Sequence, residues 1–144
     1  CALPIWRTSP HPAMVTFEAP SREFCVLRRI RTNTPLQALV TWNDPQFVEC
    51  AQALAARTLN AGAAGDDAGL VERMVHFALG RPPEPAERDR LQQLVRDERA
   101  RLSTSPADAA LLAGPGDSAT AVERAALTLC ANVLLNLDEF VTKG

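Results

Sequence analysis

The sequence predicts an all-α fold: a compact bundle of about five helices that follows an irregular N-terminal segment rich in proline and arginine. Two helix-start signals stand close together, at Thr34-Pro35 and at Asp44-Pro45. Apolar residues then recur at helical spacing over most of residues 45–137. Four prolines lie within the first twenty residues, where they disfavour long helices.

Composition restricts the class of protein. The 144 residues, of which 47% are hydrophobic, suit one domain that can bury a core without metal or disulfides. The net charge of -2 does not favour binding to nucleic acid or to a membrane surface. No tract approaches the roughly 18–20 apolar residues of a membrane span. Because the chain begins at Cys1 without an initiator methionine, we expect it to be the C-terminal part of a longer protein.

We divide the chain into an irregular lead-in, residues 1–33, and a helical domain, residues 34–144. The lead-in contains four arginines that are candidates for holding an anion or a carboxylate. The simpler interpretation, which we favour, is that they pair with acids of the same chain. The four arginines are Arg22, Arg28, Arg29 and Arg31, and the candidate acids are Glu18, Glu23, Asp44 and Glu49.

The first two helices are predicted from their start signals, and each has a proline in its first position. Thr34 is placed to cap a helix over residues 35–42, and Gln37 stands three residues later, as a capping box requires. Asp44 is placed to cap a second helix over residues 45–59. The helix-start motif comprises Thr34, Pro35, Gln37, Asn43, Asp44 and Pro45.

Two further helices follow a loop rich in glycine and alanine. The third is predicted over residues 68–79 from its apolar stripe, with Gly80 as the glycine that ends it. The fourth is predicted over residues 85–102, with a narrow apolar seam and a wide charged face.

Residues 103–118 are expected to form a linker rich in serine, proline, alanine and glycine, with a short turn of helix at Pro106–Leu112. The last helix is predicted over residues 119–137, capped by Asp117 or Ser118. It is the most apolar helix, and its alanines suit close packing. We therefore expect it to lie at the centre of the bundle.

Single residues of interest have mostly structural interpretations. Trp42, at the turn between the first two helices, is expected to pack into the core. Cys50 and Cys130 are expected to be buried free thiols on apolar helix faces. His76 is expected at the surface or its boundary, with Glu72 one turn away. The cysteines, whose spacing excludes a Cys-x-x-Cys site, are Cys1, Cys25, Cys50 and Cys130.

No set of residues forms a recognisable catalytic site, metal site or cofactor site. The carboxylate pair Asp66-Asp67 precedes a predicted helix, where capping explains it. The pair Asp138-Glu139 follows the last predicted helix, and nothing in the sequence distinguishes the two environments as acid–base catalysis requires. No nucleophile elbow and no phosphate-binding glycine loop is present.

The chain resembles the C-terminal domain of unknown function found in large secreted proteins of Planctomycetes and Verrucomicrobia. The resemblance extends over nearly the whole chain, in the right order. The segments that support it are Phe17-Glu-Ala-Pro-Ser-Arg-Glu23, Cys25, Arg28-Arg29, Thr32-Asn-Thr-Pro-Leu-Gln-Ala-Leu39, Asn43-Asp-Pro45, Ala78-Leu-Gly-Arg-Pro-Pro83 and Leu134-Leu-Asn-Leu-Asp-Glu-Phe140. The chain departs from the family at Glu18, often an aspartate there, and at Leu137-Asp138, where the family often has Ser-Asn.

The resemblance implies an exported, periplasmic or envelope-associated protein with a link to electron transfer or polysaccharide breakdown. In the family this domain commonly follows a planctomycete-type cytochrome c domain and a second uncharacterised domain. Haem would then belong to a partner or an upstream domain, since this chain has no haem-attachment motif. Our first hypothesis is a non-catalytic helical module that docks onto another protein domain or subunit, with no direct contact to nucleic acid and no membrane span. The truncated start, the irregular lead-in and the lack of a catalytic set favour it.

The alternative is the C-terminal half of a hydrolase that acts on polysaccharide, with a site shared with an upstream domain. Glycosidases need little more than two carboxylates. The residues that would line the shared cleft are Arg22, Arg28, Arg31, Asp44 and Glu49.

Overall fold

The computed structural model describes residues 15–19, 32, 34–61 and 66–141. Within these ranges the chain forms seven α-helices and no strand, which confirms the all-α prediction. The helices are α1 Pro35–Asn43, α2 Pro45–Asn60, α3 Asp67–Leu79, α4 Pro85–Ser103, α5 Pro106–Ala113, α6 Ala121–Leu135 and α7 Asp138–Val141, with a 3₁₀ turn at Ser118–Thr120.

Helix α6 is the centre of the bundle, as its composition predicts. It packs against α2 on one side and against α4 and α5 on others. Nine of its fifteen residues are buried, so α6 is apolar on more than one face. Ala125, Ala126 and Ala131 are fully buried, and their small side chains allow the neighbouring helices to approach closely.

The core consists of two clusters joined along α6. The larger one unites α2, α3 and α4 with the C-terminal half of α6, around Met74, Val75 and Leu134. The smaller one seats the end of α4 and the whole of α5 on the N-terminal half of α6, around Leu102, Ala109 and Ala126. The stripes predicted for the second, third and fourth helices therefore face the core.

The short helical turn expected at Pro106–Leu112, within the predicted linker, is a helix of eight residues. Helix α5 covers Pro106–Ala113 and buries Ala109 and Ala113 against α6. Helix α6 begins at Ala121, later than predicted, because Asp117 instead caps a 3₁₀ turn by accepting a hydrogen bond from the Ala119 amide at 3.1 Å. The prolines and glycines of this segment bound the extra helix.

Two predictions about burial were wrong. Cys50 is exposed on α2, and Trp42 keeps 43% of its surface accessible. The face of α2 that meets α6 is centred on Ala51, Ala55 and Thr58, so Cys50, one residue before Ala51, points away from it. Cys130 is a buried free thiol, as predicted, and burial raises its pKa to about 12.

A network of ion pairs joins three helices at one end of the bundle. The Arg99 guanidinium on α4 binds Asp67 at the start of α3, at 2.8 Å, and Glu123 at the start of α6, at 2.7 Å. Arg96 adds a second contact to Asp67 at 3.2 Å. The hydrogen bond from Arg99 holds the pKa of Asp67 below its usual value. Similarly, Arg81 lowers the pKa of Glu87.

These shifts predict the response of the fold to acid. A carboxyl group with a lower pKa in the folded state stabilises the protein fully above its unfolded pKa and loses that contribution as pH falls toward the folded value. We therefore expect the melting temperature to fall as pH decreases below about 4.5. In Arg99→Gln the fall should be shallower than in wild type, because Asp67 loses the stronger of its two partners and keeps only Arg96. Thermal melts between pH 3 and 7 measure it, with Arg90→Gln, an exposed arginine on α4, as the charge-matched control. Equal slopes in all three proteins would contradict the assignment.

Candidate functional site

The predicted capping box at the start of α1 is present in full. The backbone amide of Gln37 donates a hydrogen bond to Thr34 Oγ1 at 3.3 Å, and the backbone amide of Thr34 donates one to the side-chain oxygen Oε1 of Gln37 at 2.9 Å. Pro35 occupies the first helical position, where its missing N–H costs nothing. Together these contacts fix the direction in which α1 leaves the preceding chain.

Gln37 also connects α1 to the chain that precedes it. Its side chain is buried, and Nε2 donates to the Thr16 carbonyl at 2.9 Å and to Thr32 Oγ1 at 3.4 Å. One turn later, Thr41 is buried too, and its hydroxyl lies 2.9 Å from Asn136 Oδ1 at the end of α6. The inward face of α1 is therefore held by polar contacts.

The second half of the motif closes α1 and opens α2. Asp44 Oδ1 accepts a hydrogen bond from the Gln46 amide at 2.8 Å, as predicted for a cap. The Asp44 amide bonds to the Val40 carbonyl, and the Asn43 side chain donates to the Leu39 carbonyl at 2.8 Å. The motif thus makes two rigid helices with one residue between them.

The outward face of α1 is apolar. Leu36 and Leu39 keep 58% and 60% of their surfaces exposed, and Trp42 follows at the same spacing of three residues. This spacing places the three side chains along one side of the helix. The polarity of α1 is therefore inverted: glutamine and threonine point inward and the large apolar side chains point outward. We call Leu36, Leu39 and Trp42 the α1 face.

Of the residues proposed for chemistry, the structure describes Asp44 and Glu49. Arg22, Arg28, Arg29 and Arg31 lie outside the described residues, so their pairing stays a prediction. Asp44 acts as a helix cap and Glu49 is exposed on α2. Neither placement adds support to the hydrolase alternative. In the described part of the chain, no cluster of three or more histidine, cysteine or acidic residues could hold a metal ion.

Three other acidic candidates, Glu72, Asp66 and Glu139, have structural partners. His76 is exposed, as expected, and Glu72 pairs with Arg88 on α4 at 3.4 Å. Asp66 caps α3 by accepting from the Gly69 amide at 3.0 Å. Glu139, at the start of α7, accepts from Arg81 at 2.7 Å. Among the described helices, none is long and apolar enough to cross a bilayer.

Comparison with known proteins identifies a family. Residues 1–95 match the family model PSD1, described as a protein of unknown function (DUF1553). The matched range contains the helix-start motif and ends inside α4, so α5, α6 and α7 lie beyond it. No curated protein and no solved structure gives a significant match. Because 95 of the 144 residues match the family model, the chain belongs to the DUF1553 family of proteins of unknown function.

Proposed function

We propose that the chain is a non-catalytic helical interaction module of an exported multi-domain or multi-subunit assembly, and that the α1 face is its docking surface. The observation that supports this proposal is the inverted polarity of α1. Large apolar side chains are normally buried in a domain of this size, and a contiguous exposed group of them is typical of a protein interface.

The α1 face has the properties of a preformed binding surface. Burying a leucine side chain fully stabilises a complex by about 1.5–3 kcal/mol, and tryptophan is among the residues that most often dominate binding energy. The capping box and the buried contacts of Gln37 and Thr41 hold the helix from behind. A partner would therefore pay little conformational entropy to meet it.

The chemistry of the face favours a protein partner. Helix α1 contains no charged residue, so it offers nothing that would attract phosphate groups. We propose that the partner is a folded domain with an apolar groove or patch, on the same longer chain or on another subunit. The resemblance noted above makes a c-type cytochrome domain the partner that we propose first, with haem on that domain and none on this chain.

Site-specific photo-crosslinking tests this proposal. A photoreactive phenylalanine analogue at position 39 should give one dominant cross-linked peptide pair in the native assembly. The same analogue at position 111 is the control, because Leu111 is 79% exposed on α5, away from the motif. We expect a strong cross-link at 39 and only background cross-linking at 111, because a photoreactive side chain reacts with the groups that lie next to it.

Two further measurements decide the partner's identity and the role of the face. Haem-dependent peroxidase activity in the cross-linked product would support the cytochrome domain, and its absence would assign a haem-free domain. Leu39→Glu should abolish assembly without lowering the melting temperature by more than a few degrees, because Leu39 is a surface residue. Equal cross-linking at both positions, or intact assembly in Leu39→Glu, would overturn the proposal.

A further inference from the structure

A groove lies along the second half of α3, beside the turn that leads to α4. Its volume is about 290 Å³, near the lower limit of sites that bind small molecules. The residues that line it are Glu72, Arg73, His76, Phe77, Pro82 and Pro83. It therefore combines an aromatic ring and two proline rings with one acid, one arginine and one histidine.

The wall made by the two prolines is held firmly. Gly80 ends α3 in a left-handed conformation with φ of 75°, which turns the chain sharply. Arg81 then binds Glu87 at 2.9 Å and Glu139 at 2.7 Å. These ion pairs anchor the turn on both sides, so Pro82 and Pro83 keep their position against α3.

The guanidinium of Arg73 lacks partners. Its Nε and Nη2 atoms are buried without a hydrogen-bond partner in the part of the chain that the structure describes. Glu72 does not neutralise it, because Glu72 pairs with Arg88. A second guanidinium, that of Arg57, stacks over the Phe77 ring at 4.4 Å. Leaving buried donors without an acceptor costs stability, so an acceptor brought by a ligand would be favoured.

We propose that this groove binds a carboxylate attached to a small aromatic or aliphatic group. The planar fork of Arg73 matches a carboxylate with two parallel hydrogen bonds. Because two of its nitrogens are shielded, binding requires the Arg73 side chain to rotate outward until they reach the carboxylate. The apolar part of the ligand then packs between Phe77 and the two prolines. With one free guanidinium in the groove itself, a monoanion fits the charge better than a phosphate dianion.

Benzoate is the probe for this site, and benzamide is its uncharged control of almost equal shape. In a ¹H–¹⁵N NMR titration of the intact chain, benzoate should shift the amides of residues 72–81 and reach saturation. Benzamide and inorganic phosphate should bind at least about tenfold more weakly, since each lacks one of the two required features. Shifts of equal size with benzamide would show that the carboxylate charge does not contribute to binding, and would overturn the role proposed for Arg73.

Single substitutions test which residues of the groove contribute to benzoate binding. Arg73→Gln should weaken benzoate binding by about tenfold or more, and Arg73→Lys should weaken it less, because it keeps the charge without the fork. Arg90→Gln removes an exposed arginine on α4 outside the groove and should leave the affinity unchanged. If Arg73→Gln folds and binds benzoate like the wild type, the proposal is wrong. If Arg73→Gln does not fold, the variant Phe77→Leu is tested in its place, because it removes the aromatic wall of the groove. Unchanged affinity of Phe77→Leu for benzoate would also show that the proposal is wrong.

Discussion

Replacing Leu134 with alanine should lower the free energy of unfolding by about 2–5 kcal/mol, the largest effect that we expect from a single substitution. Leu134 is fully buried on α6, within the larger core cluster. Because α2, α3 and α4 all contribute to that cluster, the cavity cannot close by a movement of one helix. The loss would be a large part of the 5–15 kcal/mol that stabilises a typical domain.

Chemical denaturation followed by circular dichroism measures this change. Leu111→Ala is the matched control, because Leu111 is the same residue type on α5 but 79% exposed. We expect it to change the free energy of unfolding by less than about 0.5 kcal/mol. A small effect of Leu134→Ala, similar to the control, would show that α6 is not the centre of the core.

Replacing Gln37 with methionine should lower the free energy of unfolding by about 2–4 kcal/mol. Methionine keeps the volume and the helix propensity of glutamine, so the change isolates the polar contacts. It removes the hydrogen bond that Gln37 Oε1 accepts from the Thr34 backbone amide. It also removes the two hydrogen bonds that Gln37 Nε2 donates, to the Thr16 carbonyl and to Thr32 Oγ1. Hydrogen exchange of residues 15–19 should increase, because Gln37 holds the Thr16 carbonyl.

The control for this substitution is Gln93→Met, on the exposed face of α4. It should have an effect below about 0.5 kcal/mol and leave exchange in residues 15–19 unchanged. If Gln37→Met lowers overall stability but exchange at 15–19 rises no more than in Leu134→Ala, Gln37 acts on the whole fold and not on that segment. That result would contradict the specific role assigned to it.

The first helix shows why a pattern of residues does not decide which side of a helix is buried. Leu36, Leu39 and Trp42 have helical spacing, and this pattern alone favours a buried stripe. The structure buries Gln37 and Thr41 instead, because each has partners supplied by distant parts of the chain: Thr16, Thr32 and Asn136. A buried polar side chain is tolerated when it is hydrogen-bonded, and those partners are not visible in the local sequence.

The sequence by itself determined the first four helices. Capping residues, prolines at first positions and Gly80 act within a few residues, so the starts of α1 to α4 follow from local chemistry and lie within one residue of their predicted places. The apolar stripes of α2, α3, α4 and α6 also determined which faces of those helices are buried.

Tertiary structure decided the rest. It turned α1 so that its apolar side points outward and left Cys50 exposed. It also stabilised the short turn expected at Pro106–Leu112 as helix α5, by giving Ala109 and Ala113 a surface on α6. It also brought Pro82 and Pro83 beside Arg73 to form the groove. These outcomes depend on contacts between residues far apart in the chain, whose free energies exceed the weak local preferences of the segments that they join.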